Sequence, residues 1–148
     1  MKARDLMTPR PHFVLPDEPV LRAAELMRDH DIGAVPVVDD PDGMILVGVI
    51  TDRDLAVRHV AAAHHHDCSV SEHMTTDPLV TVAPRADVDD VMKKMKHFKV
   101  RRVMVTDGDG ALLGVVAQAD LVREEGDEHP RRVEKVLEEI SEPVWLPR

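Results

Sequence analysis

Apolar side chains follow a helical period in two separate segments of the chain. In each segment they recur at positions i, i+3, i+4 and i+7, which lie on one face of an α-helix. The two sets are Val20, Ala23, Ala24 and Met27, and then Val88, Val91, Met92 and Met95. The spacing predicts one amphipathic helix in each segment.

A pair of β-branched runs follows each predicted helix. The paired runs cover residues 35–38 and 45–50 in the first segment, and 103–106 and 112–116 in the second. A turn rich in Gly and Asp joins the two runs of each pair, which predicts a β-hairpin. A short extended stretch precedes each helix, at 12–15 and 79–82, and a second helix is predicted from near Asp52 and from near Gln118. Each unit is therefore β-α-β-β-α.

The unit is written twice in the sequence. The segment from Asp5 to Pro11 recurs as 72–78, and the segment from Gly48 to Asp54 recurs as 114–120. One unit of about 60 residues buries too little surface to be more than marginally stable on its own. We therefore expect an α/β (α+β) fold in which two tandem repeats pack with pseudo-twofold symmetry, leaving two related clefts between them. The predicted bounds are 2–60 for repeat 1, 61–69 for a linker, 70–124 for repeat 2 and 125–148 for a C-terminal helix and tail.

The C-terminal tail carries a third helical pattern. Pro130 suits the first turn of a helix, and Pro143 and Pro147 are expected to stop it. Its apolar stripe consists of Val133, Val136, Leu137 and Ile140. Two alternatives remain open for this stripe: packing on its own domain, or a contact between two copies of the chain.

Composition narrows the function classes. The chain has 148 residues and a net charge of −9, which argues against a general nucleic-acid binder. No apolar run approaches the roughly 20 residues that span a bilayer, and residues 1–10 lack the apolar region of a secretory signal. Cys68 is the only cysteine, so no internal disulfide forms and a reducing cytoplasm fits best.

The doubled unit resembles the cystathionine-β-synthase (CBS) domain. The hallmark of that family is Gly-h-h-Thr/Ser-x-x-Asp, where h is apolar. The segment 48–54 matches it fully, and 114–120 matches except that Ala117 replaces the hydroxyl residue. Further matches are the Met-Thr pairs at 7–8 and 74–75, and the strand entries at 35–37 and 103–105, the second with Met104 in place of Pro. The resemblance covers about residues 2–123. With no attached catalytic domain, the arrangement looks like that of small stand-alone actinobacterial CBS proteins, including those called hypoxic response proteins.

The resemblance implies a regulatory module without catalytic activity that binds an adenine nucleotide of the AMP, ADP or ATP class. A carboxylate can accept hydrogen bonds from ribose hydroxyls, and a hydroxyl at a helix N-terminus can bind phosphate. By family resemblance Asp54 contacts ribose and Thr51 contacts phosphate. The alternative is that Thr51 caps the helix and Asp54 lies in its first turn, where the helix dipole favours a negative charge.

The second repeat keeps only part of this pattern. Asp120 retains the ribose role, whereas Ala117 removes the hydroxyl. Arg101 and Arg102 occupy positions where the family often places phosphate-binding basic residues, and a guanidinium can grip phosphate through two hydrogen bonds. One ligand could then use Thr51, Asp54 and an arginine of the second repeat. The alternative for the two arginines is a solvated surface that balances nearby acids.

Candidate walls for adenine are apolar residues at the strand entries, namely Val35, Pro36, Val103 and Met104. Ligand pockets are lined mainly by apolar side chains. The alternative is that these four residues are core.

Histidines cluster in and around the linker, at positions 59, 64, 65, 66 and 73, with Cys68 among them. Three adjacent side chains cannot all point at one ion, and the spacing matches no tight zinc pattern. We therefore predict a solvated loop, no metal site, and no zinc requirement for folding.

Cys68 has no base fixed beside it in sequence, and no Gly-x-Ser-x-Gly or Walker-type loop is present. An enzyme is accordingly not predicted.

The resemblance implies a homodimer that senses an adenine nucleotide and requires no cofactor. Composition adds the expectation of a cytoplasmic protein without a nucleic-acid or membrane partner. Two other function classes remain open: an interaction module for an unknown protein partner, with vestigial clefts, and a metal- or redox-responsive stress protein.

Overall fold

The computed structural model describes residues 1–142, which form two compact units built from separate stretches of chain. The first-repeat unit contains residues 10–79 and 106–113. The second-repeat unit contains residues 1–9, 80–105 and 114–142. The segment that opens each repeat in the sequence thus belongs to the compact unit of the other repeat. The sequence-based bounds of the repeats and linker stay a prediction.

The first-repeat unit is organised around one helix and one hairpin. Its elements are helix α2 (Val20–His30), strands β2 (Ala34–Val38) and β3 (Leu46–Thr51), and helix α3 (Asp52–Asp54), which continues as a π-helix over Leu55–Val60. β2 and β3 are antiparallel, with Val35 opposite Ile50. The buried core consists of Val14, Val20, Ala23, Leu26, Val35, Val37, Ile50 and Val70.

The second-repeat unit repeats this plan with additional helices. Its elements are α1 (Ala3–Leu6), β1 (Thr8–Pro9), β4 (Thr81–Val82), α4 (Val88–Phe98), β5 (Arg102–Thr106), β6 (Leu112–Ala117), α5 (Gln118–Glu125) and α6 (Pro130–Ser141). The strand order is β1-β6-β5-β4, and β4 runs parallel to β5. The outer end of the β5–β6 hairpin, residues 106–113, is the part grouped with the first-repeat unit.

The predicted mixed helix-strand fold is confirmed. The first strand of the unit is β4 in the second repeat, whereas in the first repeat the stretch predicted at 12–15 forms only a single bridge, between Val14 and Val37. Helices α2 and α4 cover the two segments with helical spacing, and their buried faces include Val20, Ala23, Val91 and Met95. Both second helices begin where predicted, at Asp52 and Gln118. Among residues 1–142, no helix has the length and apolar character that a membrane span requires.

The apolar stripe of α6 is covered within its own unit. Pro130 lies in the first turn, as predicted, and Val133, Val136 and Ile140 are buried. The helix contacts α4 and α5. This arrangement is the first of the two alternatives for the stripe. The expected stops at Pro143 and Pro147 lie outside the described residues.

The glycine of each hallmark motif lies against a methionine from a Met-Thr pair. A Cβ placed at Gly48 would lie 2.7 Å from the Met74 sulfur and 3.2 Å from the Thr75 carbonyl oxygen. At Gly114 the corresponding carbonyl oxygen, that of Thr8, would be only 2.8 Å away. A sulfur at the end of a flexible side chain can move aside, whereas a backbone oxygen held in a strand cannot.

We therefore expect Gly114→Ala to be the more damaging of two matched substitutions. It should lower the free energy of unfolding by about 1–3 kcal/mol, as overpacking in a closed space does. Gly48→Ala should cost less, because mainly the Met74 side chain must shift. Urea denaturation of both variants measures the difference, and a larger loss in Gly48→Ala would contradict this account of the glycines.

Candidate functional site

Thr51 and Asp54 form a reciprocal pair where β3 ends and α3 begins. Thr51 is extended, with φ −110° and ψ 162°. Its Oγ1 accepts a hydrogen bond from the Asp54 amide at 3.0 Å, and Asp54 Oδ2 accepts one from the Thr51 amide at 3.0 Å. Each side chain satisfies a backbone N–H that the helix start leaves free. The capping role considered from the sequence is thus present in the structure.

Asp54 has further partners that sequence reasoning missed. The Thr75 hydroxyl lies 3.1 Å from Asp54 Oδ2 and 3.2 Å from Oδ1. Arg58 Nε lies 3.6 Å from Oδ1, one turn further along, and its Nη1 donates to the Met74 carbonyl at 3.3 Å. The recurrence of a Met-Thr pair at 74–75 was the available signal. Nothing in the sequence pattern shows that this pair meets Asp54.

The Asp54 carboxylate is nearly enclosed, with 7% of the residue exposed. A carboxylate offers about four acceptor positions. Oδ2 accepts from the Thr51 amide and Thr75, whereas Oδ1 has the longer contacts, to Thr75 and Arg58. Oδ1 is therefore the oxygen with acceptor capacity for a ligand hydroxyl. The Thr51 oxygen accepts one bond through its lone pair, which leaves its hydrogen able to donate to a ligand oxygen.

The matching junction of the second-repeat unit is occupied differently. Asp120 Oδ2 accepts from the Ala117 amide at 2.8 Å, in the same way as in the first repeat. Its Oδ1 accepts from Arg123 Nη2 at 2.7 Å. A direct ion pair thus engages the oxygen that at Asp54 has only longer contacts. With Ala117 supplying no hydroxyl, this junction is less suited to bind a ribose phosphate.

Arg101 and Arg102 lie at the start of β5, beside the Asp120 junction. The Arg101 carbonyl accepts from the Gln118 amide at 2.9 Å, as the Gly33 carbonyl accepts from the Asp52 amide at 2.9 Å in the first-repeat unit. Arg101 is exposed and Arg102 half-buried. The structure therefore joins the Arg101 backbone to Gln118, the first residue of the helix that carries Asp120. Phosphate binding by the two arginines, and the sharing of one ligand with Thr51 and Asp54, stay predictions.

The four candidate adenine walls are buried. Val35 and Val103 have 0% of their surface exposed, Met104 has 3%, and Pro36 is also buried. These side chains fill the interior of their own units, which is the core role considered from the sequence. Their contact with adenine stays a prediction.

Four residues of the first-repeat unit could hold a metal ion. The ligand atoms of His59, His64, Cys68 and His73 lie within 4.8 Å of one another. Burial lowers the pKa of His73 below its ordinary value, and the neighbouring His59 and His64 lower it further. The neutral imidazole, which is the form that binds metals, is thereby favoured at His73.

A family model described as the CBS domain matches the chain twice, over residues 3–59 and 70–127. Among curated relatives, the uncharacterized protein YlbB of Bacillus subtilis is 38% identical over 141 residues, which cover 95% of this chain and 92% of that protein. Hypoxic response protein 1 of Mycobacterium tuberculosis is 34% identical over 121 residues, which cover 82% of each chain.

Solved structures are similar over most of the chain. A structure of hypoxic response protein I with two coordinated zinc ions has a TM-score of 0.74 at 32% identity, covering 84% of this chain and 98% of that one. CBSX2 in complex with AMP has a TM-score of 0.72 at 31% identity, covering 86% and 97%. The CBS domain pair of MJ0100, in complex with 5-methylthioadenosine and S-adenosyl-L-methionine, has a TM-score of 0.76 at 26% identity, covering 86% and 98%.

Proposed function

The chain belongs to the CBS-domain family, and on this premise we propose that it is a regulatory module without catalytic activity that binds an adenine nucleotide. The observation that carries the proposal is the junction of β3 and α3. There the Asp54 carboxylate, 7% exposed, is held in place by the Thr51 amide and the Thr75 hydroxyl. Fixed in this way, it can accept from a ribose hydroxyl without further ordering, while the Thr51 hydroxyl can donate to phosphate.

Ligands bound by structural neighbours support the same chemical class. CBSX2 was solved with AMP, and MJ0100 with two adenosine derivatives. Adenosine is the part that these ligands share, and its ribose is the part that a carboxylate recognises. We propose AMP, ADP or ATP as the ligand class of this chain, with Thr51, Asp54, Arg101, Arg102 and Asp120 as polar contacts and Val35, Pro36, Val103 and Met104 as the apolar ones.

Thermal unfolding with a nucleotide panel tests this function. A ligand that binds only the folded protein at 100 times its Kd adds about 2.7 kcal/mol of stability. For a chain of this size that is a rise in Tm of roughly 5–10 °C. We expect the rise with at least one of AMP, ADP and ATP and not with GMP, which carries the same ribose phosphate on a different base. NAD and S-adenosylmethionine complete the panel. Equal shifts with AMP and GMP would remove adenine from the proposal.

Arg102→Ala should separate phosphate binding from nucleoside binding. We expect the variant to bind AMP more weakly and adenosine with unchanged affinity, because only the phosphate of AMP is bound by the guanidinium. Added salt should weaken AMP more than adenosine for the same reason. Calorimetry with both ligands measures this, and Arg22→Ala, which removes a half-exposed arginine of α2, is the matched control. Equal weakening of AMP and adenosine by Arg102→Ala would contradict the phosphate role.

We also propose that the chain forms a homodimer through its second helices. Val57 is 52% exposed, Val60 69% and Val122 45%, although all three are large apolar residues. Single exposed apolar residues are ordinary, but two of these lie three residues apart on one π-helix. Light scattering at micromolar concentration should give about twice the chain mass of 16.5 kDa. A single mass near 16.5 kDa would contradict the dimer.

An interaction module is the second candidate function. The Arg123–Asp120 ion pair at 2.7 Å and the missing hydroxyl at Ala117 favour it, because they leave the second junction poorly suited to a nucleotide.

We place either function in the cytoplasm, where the sole cysteine, Cys68, stays reduced. The relative named hypoxic response protein 1 supports a role in stress response.

A further inference from the structure

Three imidazoles and one thiol converge beside the π-helix of the first-repeat unit. His73 Nε2 lies 3.2 Å from His59 Nδ1 and 3.2 Å from His64 Nδ1. Zn–N bonds of roughly 2.0–2.1 Å place two nitrogens of a tetrahedron about 3.3–3.4 Å apart. Two edges of the cluster are therefore close to those of a zinc tetrahedron. The full set, with Cys68 Sγ, lies within 4.8 Å, which small side-chain rotations can close.

Hydrogen bonding alone does not account for these contacts. In its neutral form His73 Nε2 carries either one proton or one lone pair in the ring plane. It can therefore make one good hydrogen bond, to His59 or to His64, whereas both ring nitrogens lie 3.2 Å away. A cation at the centre would instead use the lone pairs of all three nitrogens at once. His59 and His73 are buried, with 7% and 2% exposed, so an unsatisfied contact here is costly.

We propose that His59, His64, Cys68 and His73 form a binding site for a divalent cation of the zinc class. Imidazole nitrogen and thiolate sulfur are the donors that tetrahedral zinc sites use. The site shares no residue with the Thr51–Asp54 junction, and the proposal does not depend on nucleotide binding.

A different backbone feature places each of the three histidines. The π-helix, with its wider turn, brings His59 inward while Val57 and Val60 face out, and π-turns are frequent at functional sites. Ala63, in the left-handed region at φ 56°, turns the chain so that the His64 amide donates to the His59 carbonyl at 3.1 Å. A short 3-10 turn over Val70–Glu72 then delivers His73.

The three adjacent histidines divide between two environments. His64 contacts His73, whereas His65 is exposed and hydrogen-bonded to Asp67 at 2.6 Å, and its ring lies against that of His66. Three adjacent side chains cannot all point at one ion, which is why no metal site was predicted from the sequence. Only His64 belongs to the proposed site, and its partners come from outside the triplet.

Zinc titration tests the proposal. The full chain, purified without an affinity tag, competes for zinc with a chromophoric chelator whose absorbance reports the free metal. We expect one zinc ion per chain. His64→Ala should lower the affinity for zinc by more than about 100-fold, because loss of a residue that only hydrogen-bonds to a metal ligand already lowers metal affinity about 10–100-fold. His64 is exposed, so this variant should fold, which circular dichroism checks. His65→Ala and His66→Ala are the matched controls and should bind as the unmutated chain does.

Cobalt(II) provides the second measurement. The unmutated chain should show intense visible bands of tetrahedral Co(II) and a near-ultraviolet band from thiolate to metal. Cys68→Ser should lose only the latter. An octahedral spectrum would overturn the proposal. An equal loss of zinc affinity in His64→Ala and His65→Ala would also overturn it, and would assign binding to the exposed linker. The unmutated chain binding no zinc would overturn it as well. Without metal the chain should stay folded, because the core of the unit does not use these side chains.

Discussion

Asp54→Ala is expected to weaken AMP binding about ten- to a hundred-fold, because it removes charge-assisted hydrogen bonds worth about 1.5–3 kcal/mol. Asp120→Ala is expected to have a smaller effect. The two carboxylates end the same motif, but Asp120 Oδ1 is already paired with Arg123 at 2.7 Å, whereas Asp54 Oδ1 lies 3.6 Å from Arg58. The first junction also retains the Thr51 hydroxyl.

Calorimetry on both variants measures this ranking. Asp54→Ala also removes the acceptor for the Thr51 amide and the Thr75 hydroxyl, so folding must be checked separately. Asp54→Asn keeps an oxygen for the Thr51 amide while losing the charge, and it should weaken AMP without a comparable loss of stability. A damaging Asp120→Ala together with a silent Asp54→Ala would reverse the ranking and make the second junction the working site.

Ile50→Ala should cause a large loss of stability. Ile50 has 0% of its surface exposed and is among the largest fully buried side chains. It lies opposite Val35 in the β2–β3 hairpin, within the core of the first-repeat unit. Truncation should lower the free energy of unfolding by about 2–5 kcal/mol, through lost burial and the cavity left behind.

Leu21→Ala is the matched control for this prediction. Leu21 is 44% exposed on α2, so its truncation should cost less than about 0.5 kcal/mol. Urea denaturation of both variants gives the comparison. If Ile50→Ala cost no more than Leu21→Ala, the β2–β3 hairpin would not be the centre of the core described here.

Local periodicity made the secondary structure predictable. Helices α2 and α4 follow the 3.6-residue spacing of buried residues such as Val20 and Met95, and the hairpins follow β-branched runs joined by Gly and Asp. The Thr51–Asp54 cap was also within reach, because its partners are three residues apart. These features depend on neighbours in the sequence, which a single chain shows directly.

Contacts between distant segments were beyond the sequence pattern. Thr75 meets Asp54 across the boundary between the predicted repeats, and residues 1–9 join the compact unit of the second repeat. The position of His59 depends on a π-helix and that of His64 on the turn at Ala63, and neither feature has a periodic signal in the sequence. The sequence supplied the candidates for both sites, and tertiary structure decided which side chains meet.

Calorimetric titration of the unmutated chain with AMP, ADP and ATP measures nucleotide binding itself. We expect saturable heat with at least one of the three nucleotides, and a lower affinity for it in Asp54→Ala. The absence of both heat and a thermal shift with every nucleotide at millimolar concentration would contradict nucleotide sensing, and would favour the interaction module.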